Sequence, residues 1–374
     1  MSDFDILIIG AGIAGASAGA HLSRTHRVAL IERESQPGYH STGRSAALFS
    51  EMYGNEAIRA LSRASRDFFF TPPPGFAENP LVKPRGALYI ARREQLGELE
   101  DFANAPDVAT NTVRMTTKQS RALCPALREE AVVEGIYEEG AHDVDVHALH
   151  QGYLRLLRHN GGQILTDTEV TALQTERGKW RATTSTGIFT AATVVNAAGA
   201  WADEIARLAE VDAIGLQPMR RTAVLVPGPE GVKIDAWPMV IDIAERFYFK
   251  PDAGAIFLSP ADETPSPPCD VQPDEMDVAI AIDHVERATT LSIKRVQSKW
   301  AGLRTFAPDR TIVAGFAPEA KGFFWLAGQG GYGIQTAPAM GELAAALVRG
   351  DGVPAHATKC GVKAAELSPA RFTA

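Results

Sequence analysis

The chain opens on an unbroken apolar run, Ile6 to Ile9, too short for a helix and lacking the alternation of a half-exposed strand. Such a run predicts a parallel strand covered on both faces. Gly10, Gly12 and Gly15 follow at GxGxxG spacing, and Ala16, Ala20 and Leu22 then recur at helical intervals. A second apolar strand, Val28 to Ile31, ends in Glu32. Residues 55–70 read as an amphipathic helix stopped by Thr71-Pro-Pro-Pro-Gly75. From 81 to 137 short strands, such as 87–90, alternate with polar helices at 94–104 and 118–123. Helical spacing returns over 145–158, and a strand at 161–165 and a meander through 169–191 come next. The buried strand 192–196 runs into Ala197-Ala198-Gly199 and a new helix.

Residues 215–305 change character. Thr222 to Val226 reads as a strand, and Pro251-Asp-Ala-Gly254 between two aromatic runs is a hairpin signal. A proline-rich loop covers 260–273 and an amphipathic helix 274–288. The chain closes on the strand 322–328, the glycine loop 329–333 and a small-residue helix over 334–348. Together these periods predict an α/β fold: a discontinuous Rossmann-like nucleotide-binding domain plus a β-rich α+β substrate domain. The first is assembled from 1–80, 145–213 and 308–374, and the second from 81–144 and 214–307.

The glycine spacing carries a physical requirement. Gly10 permits the tight turn, Gly12 lets a pyrophosphate approach the backbone, and Gly15 lets helix and strand pack closely. The helix start offers free N–H groups and a partial positive charge to that phosphate. Glu32 is placed to accept both ribose hydroxyls of an adenosine. The polar loop His40-Ser41-Thr42-Gly43-Arg44-Ser45 lies beside the cofactor's path, with Ser41, Thr42, Ser45 and Arg44 as contacts; His40 reads as a loop hydrogen-bonder. Gly199 and Gly330 to Gly333 add two further glycine turns at strand ends. An NAD enzyme needs one such half-site. Several turns, the motif at the start of the chain and the interrupted domain suit FAD, with the late helix aimed at flavin N1 and C2=O.

Composition narrows the class without changing the fold. The 374 residues are 45% hydrophobic with a formal charge of -8, which argues against nucleic acid and anionic membranes as partners. Three scattered cysteines without CxxC fit a reducing cytosol, and no stretch reads as a signal peptide or a membrane span. The expected location is cytoplasmic, with no metal and no integral membrane segment.

Longer blocks add a resemblance. Gly10–Gly15 with Glu32-Arg33, His40-Ser-Thr-Gly-Arg-Ser-Ala-Ala, Val195-Asn-Ala-Ala-Gly-Ala-Trp and Gln329-Gly-Gly-Tyr-Gly-Ile-Gln335 are similar to the D-amino-acid oxidase superfamily. Within it the chain resembles the bacterial FAD-dependent D-arginine dehydrogenases nearly end to end, including Tyr248-Phe-Lys-Pro-Asp-Ala-Gly254 and Trp300-Ala-Gly-Leu-Arg304. The resemblance implies noncovalent FAD and extends the cofactor set to Ile13, Ala14, Arg33, Ala46, Ala47, Leu48, Val170, Gly331, Tyr332, Ile334 and Gln335. It implies that Tyr53, Arg221, Tyr248 and Arg304 bind the substrate carboxylate and line the site, with the Gly331 backbone on the amine. Arginine's planar fork suits a carboxylate, and the two tyrosines are better orienting hydroxyls than bases.

The resemblance also implies Ser50, Met239 and Ile241, with Leu48 and Ala87, as pocket positions. Where the arginine enzyme holds a glutamate for the guanidinium, this chain has Ala87, and Leu48 replaces a histidine. An uncharged pocket and neutral or apolar D-amino acids are therefore expected, oxidised by hydride transfer from Cα to flavin N5 and hydrolysis of the imino acid. An acid restored at 87 is expected to shift preference toward D-arginine and D-lysine. The competing readings are oxidation of N-methylated or other secondary amino acids, and a binding or RNA-modifying flavoprotein. No motif selects quinone, another carrier or O2 as electron acceptor.

Overall fold

Two sheets organise the computed structural model, which describes residues 2–372. In the first, Gln163–Leu165, Val28–Ile31, Ser2–Ile9, Gly187–Asn196 and Phe323–Ala327 lie side by side and parallel. The strand Ser2–Ile9 pairs with Val28–Ile31 on one edge and Gly187–Asn196 on the other, so Gly10 follows it where the strand order reverses. Ligands of open α/β sheets bind at that crevice.

Alternate residues of these strands face opposite layers. Ile6, Ile8, Leu30 and Val195 point to the helices Ile13–Leu22, Val146–His159 and Gly333–Arg349. Leu7, Ile9, Ile31 and Val194 point to a cluster containing Trp180, Ala202 and Trp325. Both faces are covered, as the apolar run requires, and each fully buried Leu or Ile contributes about 1.5–3 kcal/mol. The helices Ile13–Leu22 and Gly333–Arg349 cross so closely that a Cβ on Gly341 would stand 2.6 Å from the Ser17 Cβ. Their small-residue composition is what permits that crossing.

The second sheet has nine strands, drawn from residues between 87 and 138 and between 217 and 306. Its central strands are Gln217–Pro227, Ala255–Ser259, Tyr248–Asp252, Met239–Asp242 and Ala87–Ala91, and Ser298–Phe306 pairs with the first of them. Ala253 and Gly254, both at positive φ, join Tyr248–Asp252 to Ala255–Ser259. Such a pair matches the twist of a two-residue hairpin. The helix Glu275–Ala288 covers one face through Val278, Ala281 and Val285.

Two elements depart from the sequence pattern. Gln217–Pro227 is 11 residues long, because Arg220 and Arg221 continue a strand that looked apolar only from Thr222. A three-stranded sheet of Leu48–Phe49, His142–Val144 and Val82–Pro84 has strands too short to show a period.

Candidate active site

A cavity of about 300 Å³ runs from Glu32 and Arg33, past Gly10, Gly12 and Ala14, to Arg304, Gly330 and Gly331. Gly12 caps the helix Ile13–Leu22. The N–H groups of Gly12 and Ala14 have no partner among the described residues, whereas the Ile13 N–H donates to Thr42 Oγ1 at 3.0 Å. Gly10 sits at φ +101°, and a Cβ there would approach the Ala197 carbonyl oxygen to 2.4 Å. Open donors at a helix start and a backbone bare of side chains fit a pyrophosphate. Glu32 stands at one wall, its oxygens accepting the N–H groups of Ala11 (2.9 Å) and Glu34 (3.0 Å). Arg33 stacks on Trp201 at 4.3 Å, and His40 bonds to Glu34 and packs against the same indole.

Ile13, Ser41, Thr42, Arg44, Ser45, Ala46, Val170, Gly199, Gly333 and Ile334 also line this cavity. Some have other work. Ser41 donates to the Leu303 carbonyl at 2.6 Å, and Arg44 donates to the Ala301 carbonyl and pairs with Asp270. These side chains, expected to be free contacts, fasten the loop to the strand Ser298–Phe306. Gly15 and Gly43 lie behind the cavity wall: Gly15 abuts Gly10, and Gly43 closes a turn onto the Gly38 carbonyl. Tyr332 is buried before the helix Gly333–Arg349 and packs on Tyr53 and Phe306. Ala47, Leu48 and Gln335 face the adjoining cavity instead.

That second cavity, about 70 Å³, shares Arg221, Tyr248, Arg304 and Gly331 with the first. Sheet register explains its floor. Arg304 lies opposite Met219 and Gly302 opposite Arg221, so both arginines project from one face. The same face continues through Tyr248, Ile241 and Tyr89. Leu48, Ser50 and Tyr53 cover it, and Met239 adds an apolar wall. Arg304 Nη1 donates to the Tyr53 hydroxyl at 3.2 Å and Nη2 to the Tyr248 hydroxyl at 3.3 Å. No carboxylate pairs with Arg304 among the described residues. Arg221 is already engaged, donating to the Asp262 carbonyl (2.8 Å) and to Glu263 (3.2 Å).

Burial opposes the charge on Arg304, but Tyr53, Tyr248 and Glu245 raise its pKa on balance, so it stays a cation. Burial raises the Tyr53 hydroxyl. It would raise Tyr248 too, but Arg304 and Arg221 bring that hydroxyl below its ordinary value. A Cβ on Gly331 would stand 3.0 Å from Arg304 Nη1 and 3.2 Å from the Tyr53 hydroxyl, so glycine here keeps the approach to the cation clear.

Two findings revise the sequence reading of this pocket. Ala87 does not line it; the residue is fully buried in a cluster against which Leu48 and Ile241 pack, and Tyr89 on the same strand lines the pocket. A larger side chain at 87 would press on that packed layer and face Glu138 across the strand pair. The pocket is also not uncharged, because Glu245 lines it. An exposed residue at φ +51°, Glu245 stands on a turn whose Ala244 N–H donates to buried Asp242. Its own carboxylate has no partner among the described residues.

The profile of the family described as DAO, FAD dependent oxidoreductase, matches residues 5–347. The chain belongs to this family. Hydrogen cyanide synthase subunit HcnC of Pseudomonas aeruginosa is 25% identical over 405 residues, covering 94% of each chain. Glycine oxidase of Geobacillus kaustophilus is 24% identical over 92% of this chain and 93% of its own. The crystal structure of that glycine oxidase superposes with a TM-score of 0.80 at 21% identity, over 95% of this chain and 96% of its own. L-α-glycerophosphate oxidase of Mycoplasma pneumoniae with FAD bound gives 0.83 at 19% identity, over 93% and 95%. FAD is the cofactor of this DAO-family oxidoreductase. No helix among its described residues is long and apolar enough to cross a membrane, and no group of three metal-ligating side chains is found there.

One group of this DAO-family enzyme gives a pH signature. Glu138 is buried, and burial pushes its carboxyl up from 4.5 to about 7. A raised folded pKa contributes stability that is fully present below the unfolded value and lost as pH rises through the folded one. Between pH 5 and 8 the protein should therefore lose up to about 3 kcal/mol from this group. Tm measured across that range should fall less steeply in Glu138→Gln. Equal slopes in the two proteins would remove Glu138 as the cause.

Proposed function

We propose that this enzyme oxidises the Cα–N bond of small, neutral amino acids, with D-amino acids as the preferred class. One observation carries the reading: Arg304 is half-buried, cationic and without an ion-pair partner among the described residues, and it is flanked by two tyrosine hydroxyls above a cavity of about 70 Å³. An arginine that faces a cavity with no carboxylate at ion-pair distance among the described residues is arranged for a ligand carboxylate. Glu245 at the rim supplies the opposite charge, which suits a zwitterion approaching carboxylate first. Leu48, Met239 and Ile241 leave room for a short apolar side chain.

Bound FAD supplies the hydride acceptor. The chain's own residues orient the substrate: Arg304, Tyr53 and Tyr248 fix the carboxylate, and the Gly331 backbone stands beside it. The amine nitrogen gives up a proton and Cα a hydride, leaving an imine that water hydrolyses to a 2-oxo acid and ammonia. The small cavity and the likeness to glycine oxidase support a second reading, in which glycine or N-methylated amino acids are the substrates.

An anaerobic screen that follows bleaching of the flavin decides between them. D-alanine and larger neutral D-amino acids should bleach it faster than their L-enantiomers, glycine or sarcosine. Bleaching by sarcosine or glycine alone would establish the second reading, and no bleaching by any amino acid would reject both.

A further inference from the structure

The strand Glu134–Glu138 ends beneath the loop that covers the substrate cavity, and its last residue is a buried acid. Glu138 Oε2 accepts the Ser50 hydroxyl at 2.7 Å, and Oε1 accepts the Glu51 N–H at 3.0 Å. Ser50 Oγ in turn accepts the Met52 N–H at 3.1 Å. Three consecutive residues thus hang from one carboxylate. The fourth is Tyr53, whose hydroxyl meets Arg304.

No cation lies at ion-pair distance from Glu138 among the described residues. The titratable groups facing it are Glu51 from the loop and Tyr89 from the neighbouring strand. The Tyr89 hydroxyl is buried and has no hydrogen-bond partner among the described residues. An unpaired buried acid is costly, and an apolar side chain would fill the same space without that cost. Such a side chain could not hold the loop's donors.

We propose that Glu138 is a positioning residue that, through Ser50 and Glu51, fixes residues 50–53 and so sets Tyr53 against Arg304 for binding the substrate carboxylate. This rests on Arg304 being the carboxylate's partner. Glu138 lines neither cavity, so its loss weakens binding without removing a group that acts on the reacting bond. Loss of binding that is equal in ground and transition states raises KM and leaves kcat.

The test uses the FAD-loaded enzyme and four proteins: wild type, Glu138→Gln, Tyr53→Phe and the double variant. Propanoate, an unreactive carboxylate, serves as the binding probe, read by its perturbation of the flavin spectrum. Glu138→Gln should weaken propanoate binding and raise the amino-acid KM by about tenfold, the effect of one lost charged hydrogen bond, with kcat within about twofold. In the Tyr53→Phe background the same change should add little, because both act through one contact. Additive effects, or a lowered Tm with unchanged propanoate affinity, would overturn the proposal. If Glu138→Gln does not fold, Ser50→Ala cuts the same link from the loop side and must show the same KM rise and the same non-additivity. If wild type itself binds no propanoate, the carboxylate reading of Arg304 fails; if wild type and Glu138→Gln bind it equally, only the role of Glu138 fails.

Discussion

Arg304→Met is expected to lower kcat/KM by roughly 30- to 1,000-fold while FAD content stays at the wild-type level. The size follows from what the guanidinium faces. Its hydrogen-bond partners among the described residues are the Tyr53 and Tyr248 hydroxyls, so a substrate carboxylate would meet a cation with no carboxylate at ion-pair distance among those residues, Glu245 acting on it only from farther off. A charge-assisted pair of that kind is worth about 2–4 kcal/mol when one side is removed. Methionine keeps much of the volume and removes the charge. Arg221→Met should cost less, because its guanidinium is already held by the Asp262 carbonyl and by Glu263. Steady-state kinetics of both variants with a neutral D-amino acid make the comparison. Unchanged kcat/KM in Arg304→Met, or a larger loss in Arg221→Met, would reverse the assignment of the principal carboxylate partner.

Gly15→Ala is expected to yield protein that is folded but largely free of FAD. The added Cβ would stand 2.0 Å from the Gly10 carbonyl oxygen, a backbone atom that cannot swing aside. Relief requires the helix Ile13–Leu22 to lift from the strand before it, which carries the Gly12 and Ala14 N–H groups away from the pyrophosphate. Overpacking of this kind costs about 1–3 kcal/mol or more, which corresponds to a loss of roughly fivefold to 150-fold or more in FAD affinity. Flavin absorbance per protein after dialysis reads the loss directly, and far-ultraviolet circular dichroism checks the fold. Wild-type flavin content in Gly15→Ala would show that the close packing at Gly15 does not govern the cradle.

The nucleotide half of the molecule was legible because its demands are local. A doubly covered strand must be apolar throughout, a tight turn needs glycine, and both leave marks within a dozen residues. The substrate pocket was less legible. Aligned blocks name positions but not what covers them: Ala87 shares a strand face with Tyr89, yet Ala87 is fully buried and Tyr89 lines the pocket. Glu138 and Glu245 were overlooked because a single acid has no period. One signal was available for Glu138: it shares a strand face with Ile136, which is fully buried, and an acid at such a position needs a reason. Nothing comparable marked Glu245, whose place over the pocket depends on a turn capped by Asp242. Ser41 and Arg44 had the right chemistry for a ligand, but their distant partners Leu303, Ala301 and Asp270 could not be read from sequence.

The order of strands in the nucleotide sheet has a consequence for how the chain is made. Ser2–Ile9 is made well before the residues near 190 with which one of its edges pairs, and Phe323–Ala327 must still join the sheet beyond them. At about 5–20 residues per second, that edge waits roughly ten seconds or more for its neighbour. During the wait an apolar strand with an open edge is a sticky template for other nascent chains. The antiparallel hairpin Tyr248–Asp252 with Ala255–Ser259 needs no such delay, since its partners emerge together. Synthesis therefore imposes its longest exposure on the very strand that leads into the Gly10–Gly15 turn, and chaperone supply during expression bears on the yield of flavin-loaded enzyme.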